Sequence, residues 1–163
     1  MAEAVAYSKT ASRATRYHEI LPQISALIDG ETDLTANLAN VAAVLKEVFG
    51  FFWVGFYLVK EQQLVLGPFQ GPLACTRINF DQGVCGHAYT TRQTVIVPDV
   101  DEFPGHIACA SASKSEIVLP IIGSDGNVLG VLDVDSDRLD DFSSVDAYGL
   151  GAIVKMIERF MTG

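Results

Sequence analysis

Two apolar stripes at helical spacing open the chain. Tyr17, Ile20, Ile24 and Leu27 share one face of a segment from about Ala11 to Leu27, which Gly30 ends. Pro22 either interrupts this helix or opens a fresh first turn. Asp33 caps a second helix with Leu34, Leu38, Val41, Leu45 and Val48 on one face, and Gly50 stops it. The period then changes. Phe51 to Lys60 is dense in aromatic and β-branched residues, and Gln63 to Leu66 follows a short turn at Glu61-Gln62. Gly67-Pro68 and Gly71-Pro72 break the chain. A brief strand is predicted near Thr76 to Ile78, a short helix over Cys85 to Thr91, and a strand over Thr94 to Val97. Residues 99–114 have no periodicity, which inside a compact domain marks a functional loop. Glu116 to Ile122 and Val128 to Val134 flank Asp125-Gly126, a strong hairpin signal. Phe142-Ser143 opens the last helix. Ser143 and Asp146 approximate a capping box, and Val145, Tyr148, Ala152, Ile153, Met156, Ile157 and Phe160 form the apolar face.

The steps between strands are mostly hairpin-like. They predict an α+β fold with a central antiparallel β-sheet, terminal helices on one face and active-site loops on the other. No repeat or linker divides the chain, so one domain is expected over residues 1–163, with residues 1–10 a frayed lead-in.

Composition narrows the function. Of the residues, 49% are apolar and 19% charged, which excludes a disordered chain. A net charge of −9 argues against a nucleic-acid partner but allows a small cationic or zwitterionic ligand. The longest apolar stretch, Val48 to Val59, is interrupted by glycines and is too short to span a bilayer, so no membrane partner is expected. No secretory signal is read at the start. A reducing, cytoplasmic setting follows as an expectation, and structural disulfides are rare there. The cysteines therefore need another explanation.

A type I′ turn with Asp125 and Gly126 at its centre sets Glu116 opposite Asp135 and Val118 opposite Asp133. Side chains two apart share a face, so Glu116, Asp133 and Asp135 cluster at the open end of the hairpin. Glu116 and Asp133 border runs of apolar residues, where an unpaired charge is costly. A ligand ammonium would satisfy one carboxylate, and a second could keep its proton and act as a general acid. A divalent metal is the competing reading, without further oxygen-ligand motifs to support it.

Cys75, Cys85 and Cys109 form no Cys-x-x-Cys pair, so a zinc site or a thioredoxin motif is not expected. His87 and His106 read as ordinary loop or helix-start histidines. Cys109 lies in the unpatterned loop among small neighbours, close in sequence to Glu116. Cys85 opens a short helix, where the dipole lowers a thiol pKa. Residue patterns alone do not choose between them. Cys75 follows Gly71-Pro72-Leu73-Ala74, a segment suited to a thiol that swings in. On the first strand Trp53, Gly55 and Tyr57 share one face. That face either lines a pocket for a methyl or thioether group, with Gly55 leaving space between the rings, or packs as core.

Together these motifs resemble a known family. From about Leu34 to Phe160 the chain resembles a GAF domain, and within that superfamily the free methionine-(R)-sulfoxide reductases. The carrying residues are FFWVGFYLV, GPFQGPLACTRI, GVCGHAY, VPDV with FPGHIACASASKSEIVLPI, and GVLDVDS with FSSVD. The resemblance implies that Cys109 is the catalytic thiol, Cys75 its disulfide partner and Cys85 an accessory thiol. It implies that Glu116, Asp133 and Asp135 hold and protonate the substrate, with Trp53 and Tyr57 around its methyl end. Amides of the loop from Ile107 and Ala108 to Ala110 are expected at its carboxylate. The implied reaction reduces free L-methionine-(R)-sulfoxide through a sulfenic acid and an intramolecular disulfide. Thioredoxin is the implied external reductant, no cofactor or metal is bound, and a homodimer is expected. The alternatives are a GAF module sensing a small ligand such as a cyclic nucleotide, and a redox sensor without turnover.

Overall fold

The computed structural model describes residues 4–109 and 111–162. In chain order the elements are α1 (Arg13–Ile28), α2 (Leu34–Phe49), β1 (Trp53–Lys60), β2 (Gln63–Gln70), β3 (Arg77–Ile78), α3 (Gly83–Thr91), β4 (Val95–Val97), β5 (Ser115–Ile122), β6 (Val128–Ser136) and α4 (Ser144–Thr162). The sheet has six strands in the order β3-β2-β1-β6-β5-β4, and every neighbouring pair is antiparallel. Helices α1, α2 and α4 cover one face; α3 and the 98–114 loop cover the other.

Two apolar layers result from strand alternation. Val54, Phe56, Ile117, Leu119, Leu132 and Val134 face the three long helices. Trp53, Tyr57, Val118 and Val131 face α3 and the loop, with Cys85 packed among them. Caps begin the helices as the sequence suggests. Asp33 accepts from the Ala36 amide, and Ser143 and Asp146 exchange hydrogen bonds with the amides of Val145 and Ser143.

Several expectations change. Helix α1 runs through Pro22 without a break. Residues 4–10 are not frayed: the Ala6 amide donates to Gln23 Oε1, Ser8 bonds Glu19, and Val5 and Tyr7 pack on the core. The buried face of α4 is Asp146, Gly149, Leu150, Ile153, Val154 and Ile157, while Tyr148 is 84% exposed. The reason is polar. Asp146 is drawn inward by the Tyr17 hydroxyl at 2.7 Å and by Arg13, and the Tyr17 ring lies against Gly149 so closely that a Cβ there would sit 2.3 Å from it.

Strand β2 continues through Gly67-Pro68 to Gln70. Gly55 pairs with Phe69 and Tyr57 with Leu66, so Gly67 and Pro68 together oppose Phe56. This β-bulge takes the proline's missing N–H out of the ladder. The type I′ turn lies at Glu61-Gln62, whose φ values are +52° and +64°. At the other hairpin only Gly126 is left-handed (φ +85°), and its amide donates to Gly123 O. That turn is one residue longer than a type I′ turn. A second irregularity at Leu129 restores the register, because Ile122 pairs with Val128 but Ile121 with Gly130. Glu116 therefore still faces Asp135, and Val118 still faces Asp133.

Candidate active site

Where β1, β6 and β5 lie side by side, three alternating strands aim side chains at α3. Trp53 pairs with Asp135, Gly55 with Asp133, and Glu116 with Asp135 from the opposite side. The three acids and the two aromatics therefore occupy one patch of the sheet. Above it, α3 supplies Cys85, and the loop supplies His106, Ile107 and Cys109. These groups line one partly enclosed pocket between the sheet, α3 and the loop.

The floor is acidic and largely buried. Glu116 is 6% exposed and Asp133 5%. Burial, and then the neighbouring Asp133 and Asp135, push the Glu116 carboxyl well above the usual carboxylate range. Burial followed by Asp133 does the same to Asp135, which is half-buried. Burial also raises Asp133, opposed by hydrogen bonding from Glu116 and Cys85. Like charges this close in a low-dielectric pocket oppose one another's ionisation, which favours the protonated forms. Asp133 Oδ1 is fully buried without a hydrogen-bond partner among the described residues. It is an acceptor waiting for a donor.

Cys85 sits in the first turn of α3, yet its thiol is pushed well up, by burial first and then by Asp133, Glu116 and Asp135. The expected helix-dipole activation is overridden, and Cys85 is a protonated, buried group. Its sulfur and oxygens of Glu116 and Asp133 lie within 4.8 Å of one another, a set also able to ligate a cation. His106, read from the sequence as ordinary, lines the cavity with Nε2 3.9 Å from Glu116 Oε1. Burial lowers its pKa, so it faces Glu116 as a neutral ring. Only its place in the loop ahead of Cys109 hinted at this.

Cys75 and Cys109 are joined as a disulfide, with Cα atoms 5.1 Å apart. Both are half-buried, and Cys109 lines the cavity. Trp53 and Tyr57 are each 1% exposed and stack with ring centroids 6.0 Å apart. The space beside Gly55 is filled, since a Cβ there would meet Phe69 Cβ at 2.3 Å and the Trp53 ring at 2.8 Å. Phe69, which the sequence reading missed, stacks on Trp53 at 5.3 Å. Burial and the nearby Asp133 raise the Tyr57 phenol, which stays protonated and donates to the Cys75 carbonyl at 2.8 Å. Ile107 lines the cavity and Ala108 is exposed outside its wall. The Cys109 amide is taken by the Ile107 carbonyl, and Ala110 lies outside the described residues.

Comparison with known proteins shows the family. Residues 31–157 match the GAF domain family. The "GAF domain-containing protein A" of Dictyostelium discoideum is 57% identical, covering 98% of this chain and 100% of that protein. The free methionine-R-sulfoxide reductase of Escherichia coli is 44% identical over 89% of this chain and 88% of its own. The crystal structure of the free methionine-R-sulfoxide reductase from Neisseria meningitidis, in complex with its substrate, superposes with a TM-score of 0.93. It is 55% identical over 96% of this chain and 94% of that one.

Proposed function

Because the chain belongs to the free methionine-R-sulfoxide reductase branch of the GAF domain family, we propose that it reduces free L-methionine-(R)-sulfoxide by the following thiol chemistry. The observation that supports the reading is a pocket lined both by Cys109, which is bonded to Cys75, and by the three clustered acids Glu116, Asp133 and Asp135.

The substrate ammonium bonds the unpartnered oxygen of Asp133, which holds the negative charge. Glu116 or Asp135 carries the proton. The Cys109 thiolate attacks the sulfoxide sulfur and that acid protonates the oxygen; the hydroxyl then moves to the Cys109 sulfur as both the transient S–S bond and the S–O bond to methionine break. Methionine leaves and Cys109 is a sulfenic acid. Cys75 then attacks the Cys109 sulfur, water departs and the disulfide forms. An external dithiol protein of the thioredoxin kind exchanges with the half-exposed disulfide and restores both thiols. The electrons come from thiols alone, so the cycle uses no resident cofactor. Trp53 and Tyr57 flank the methyl end, and the Ile107 loop meets the carboxylate. A peptide-bound methionine sulfoxide lacks the ammonium, which accounts for a preference for the free amino acid.

A phosphate-bearing ligand is a poor match to this acidic floor, which disfavours a cyclic-nucleotide sensor. We further propose a homodimer through the terminal helices, where Tyr148 and Val145 stand exposed on α4, in a cytoplasmic setting. No helix among the described residues is long and apolar enough to cross a membrane.

The test is turnover with dithiothreitol and each sulfoxide epimer in turn. Methionine from the R epimer, lost in Cys109→Ser, is expected. Full turnover by Cys109→Ser, or none by the wild type, overturns the reading.

A further inference from the structure

The segment from Gly71 to Cys75 lies between β2 and β3 as a strap whose Ala74 lines the site. Its exposure is high, reaching 88% at Leu73. Among the described residues, Gly71 to Cys75 make no main-chain hydrogen bond to one another or to a neighbouring segment. Beside the packing of Ala74 and Cys75 on the apolar layer, three specific attachments hold the strap. One is the disulfide of Cys75 itself. The other two are side-chain donors from β1 beneath it: Trp53 Nε1 donates to the Pro72 carbonyl at 3.1 Å, and the Tyr57 hydroxyl donates to the Cys75 carbonyl at 2.8 Å. Gly71 (φ +141°) lies so near Trp53 that a Cβ would sit 2.7 Å from its ring.

When the disulfide opens, one of the three attachments is gone; the two aromatic tips remain as the polar contacts of the strap itself, beside the packing of Ala74 and Cys75 and the adjoining Leu66 amide to Thr76 carbonyl bond. We propose that Trp53 and Tyr57 are positioning residues for the resolving thiol: their N–H and O–H tips pin the 71–75 strap so that Cys75 stays within reach of Cys109. This rests on the reading of Cys75 as the group that closes the disulfide. The step served is Cys109–SOH plus Cys75–SH giving the disulfide and water. It speeds as the local concentration of Cys75 rises. A slow closure leaves the sulfenic acid open to further oxidation.

Both rings are firmly packed, so the informative variant is Tyr57→Phe, which keeps the ring and removes the donor. Wild type and variant are equilibrated against mixtures of reduced and oxidised dithiothreitol. Free thiols are counted by alkylation and mass, with Cys85 as a constant internal thiol. Loss of one net hydrogen bond shifts the disulfide equilibrium towards the open form by about fivefold. A shift under twofold overturns the proposal. This readout needs no sulfoxide, so it stands apart from the reductase reading. A second readout, in the absence of reductant, is the Cys109 sulfenic acid trapped by dimedone per methionine released. It rises in the variant if the strap is unpinned; an unchanged ratio contradicts the proposal. If Tyr57→Phe does not fold, as judged by circular dichroism, Trp53→Phe applies the same twofold criterion at the other pin.

Discussion

Among single residues, the acids of the floor set the pH behaviour. Glu116 is raised by burial and by its two acidic neighbours, and a proton donor must be protonated to work. Activity is therefore lost as pH rises through the raised pKa of the donor, above the ordinary carboxylate range near ~4–4.5. Deprotonation of Cys109 pulls the other way, so kcat/KM against pH is bell-shaped, with the carboxylic acid on its high-pH limb. Glu116→Gln keeps the shape of the side chain but not its acidity. If Glu116 is the donor, kcat falls by about 10²–10⁴-fold and the high-pH limb disappears. If Asp135 is the donor, Asp135→Asn shows that pattern and Glu116→Gln chiefly alters binding. Stopped pH-rate profiles of the two variants separate these outcomes. Cys85 shows how a residue-level cue misleads: the start of α3 suggests activation, but burial among carboxylates dominates the dipole.

At the level of elements, the two hairpins divide the strain unevenly. Glu61 and Gln62 both adopt left-handed backbone without being glycine or asparagine. Replacing the pair by Asn-Gly suits the type I′ turn and stabilises the protein by ~1 kcal/mol, read as a rise in Tm of roughly 2–4 °C. An unchanged or lower Tm means the turn is held by contacts that outweigh its dihedral cost. These hairpins also explain what was legible in the sequence. Strand alternation placed Glu116, Asp133 and Asp135 together even though the turn type at Asp125-Gly126 differed, because the Leu129 irregularity compensates for the longer turn. The α4 face was misread by about a residue because Asp146 and Gly149 are buried for polar and steric reasons that an apolar stripe does not record. Pro68 read as a break for the same kind of reason. A bulge that accommodates a proline depends on the partner strand, and local pattern is blind to the partner. His106 and Phe69 reach the site through tertiary folding, and neither stands in a chemical motif of its own.

For the molecule as a whole, the site is built at a cost to stability. Glu116, Asp133 and Asp135 have raised pKa values in the folded state, so the folded protein holds more protons than the unfolded chain between their ordinary and raised values. Stability of the ligand-free protein is then greatest below the ordinary carboxylate pKa, as far as this cluster is concerned, and is lost as pH rises through the raised values. Thermal melts from pH 5 to 8 are expected to show a falling Tm, and Asp133→Asn to flatten the slope and raise the Tm at pH 8. A Tm that instead rises with pH in that range, identically in the variant, contradicts a proton-holding floor. Opposite this patch, three helices and a buried Arg13–Asp146–Tyr17 contact brace the far face of the sheet. The strained chemistry is thus confined to one side of a well-packed frame, with the thiols on its more loosely attached covering.

The most direct measurement is a reductant-free single turnover. Fully reduced protein is mixed with excess free L-methionine-(R)-sulfoxide, and methionine and free thiols are quantified together. About one methionine per chain is expected, with Cys75 and Cys109 lost as thiols in the same proportion and Cys85 retained. Methionine formed without loss of those two thiols, or an equal burst from Cys109→Ser, would contradict it.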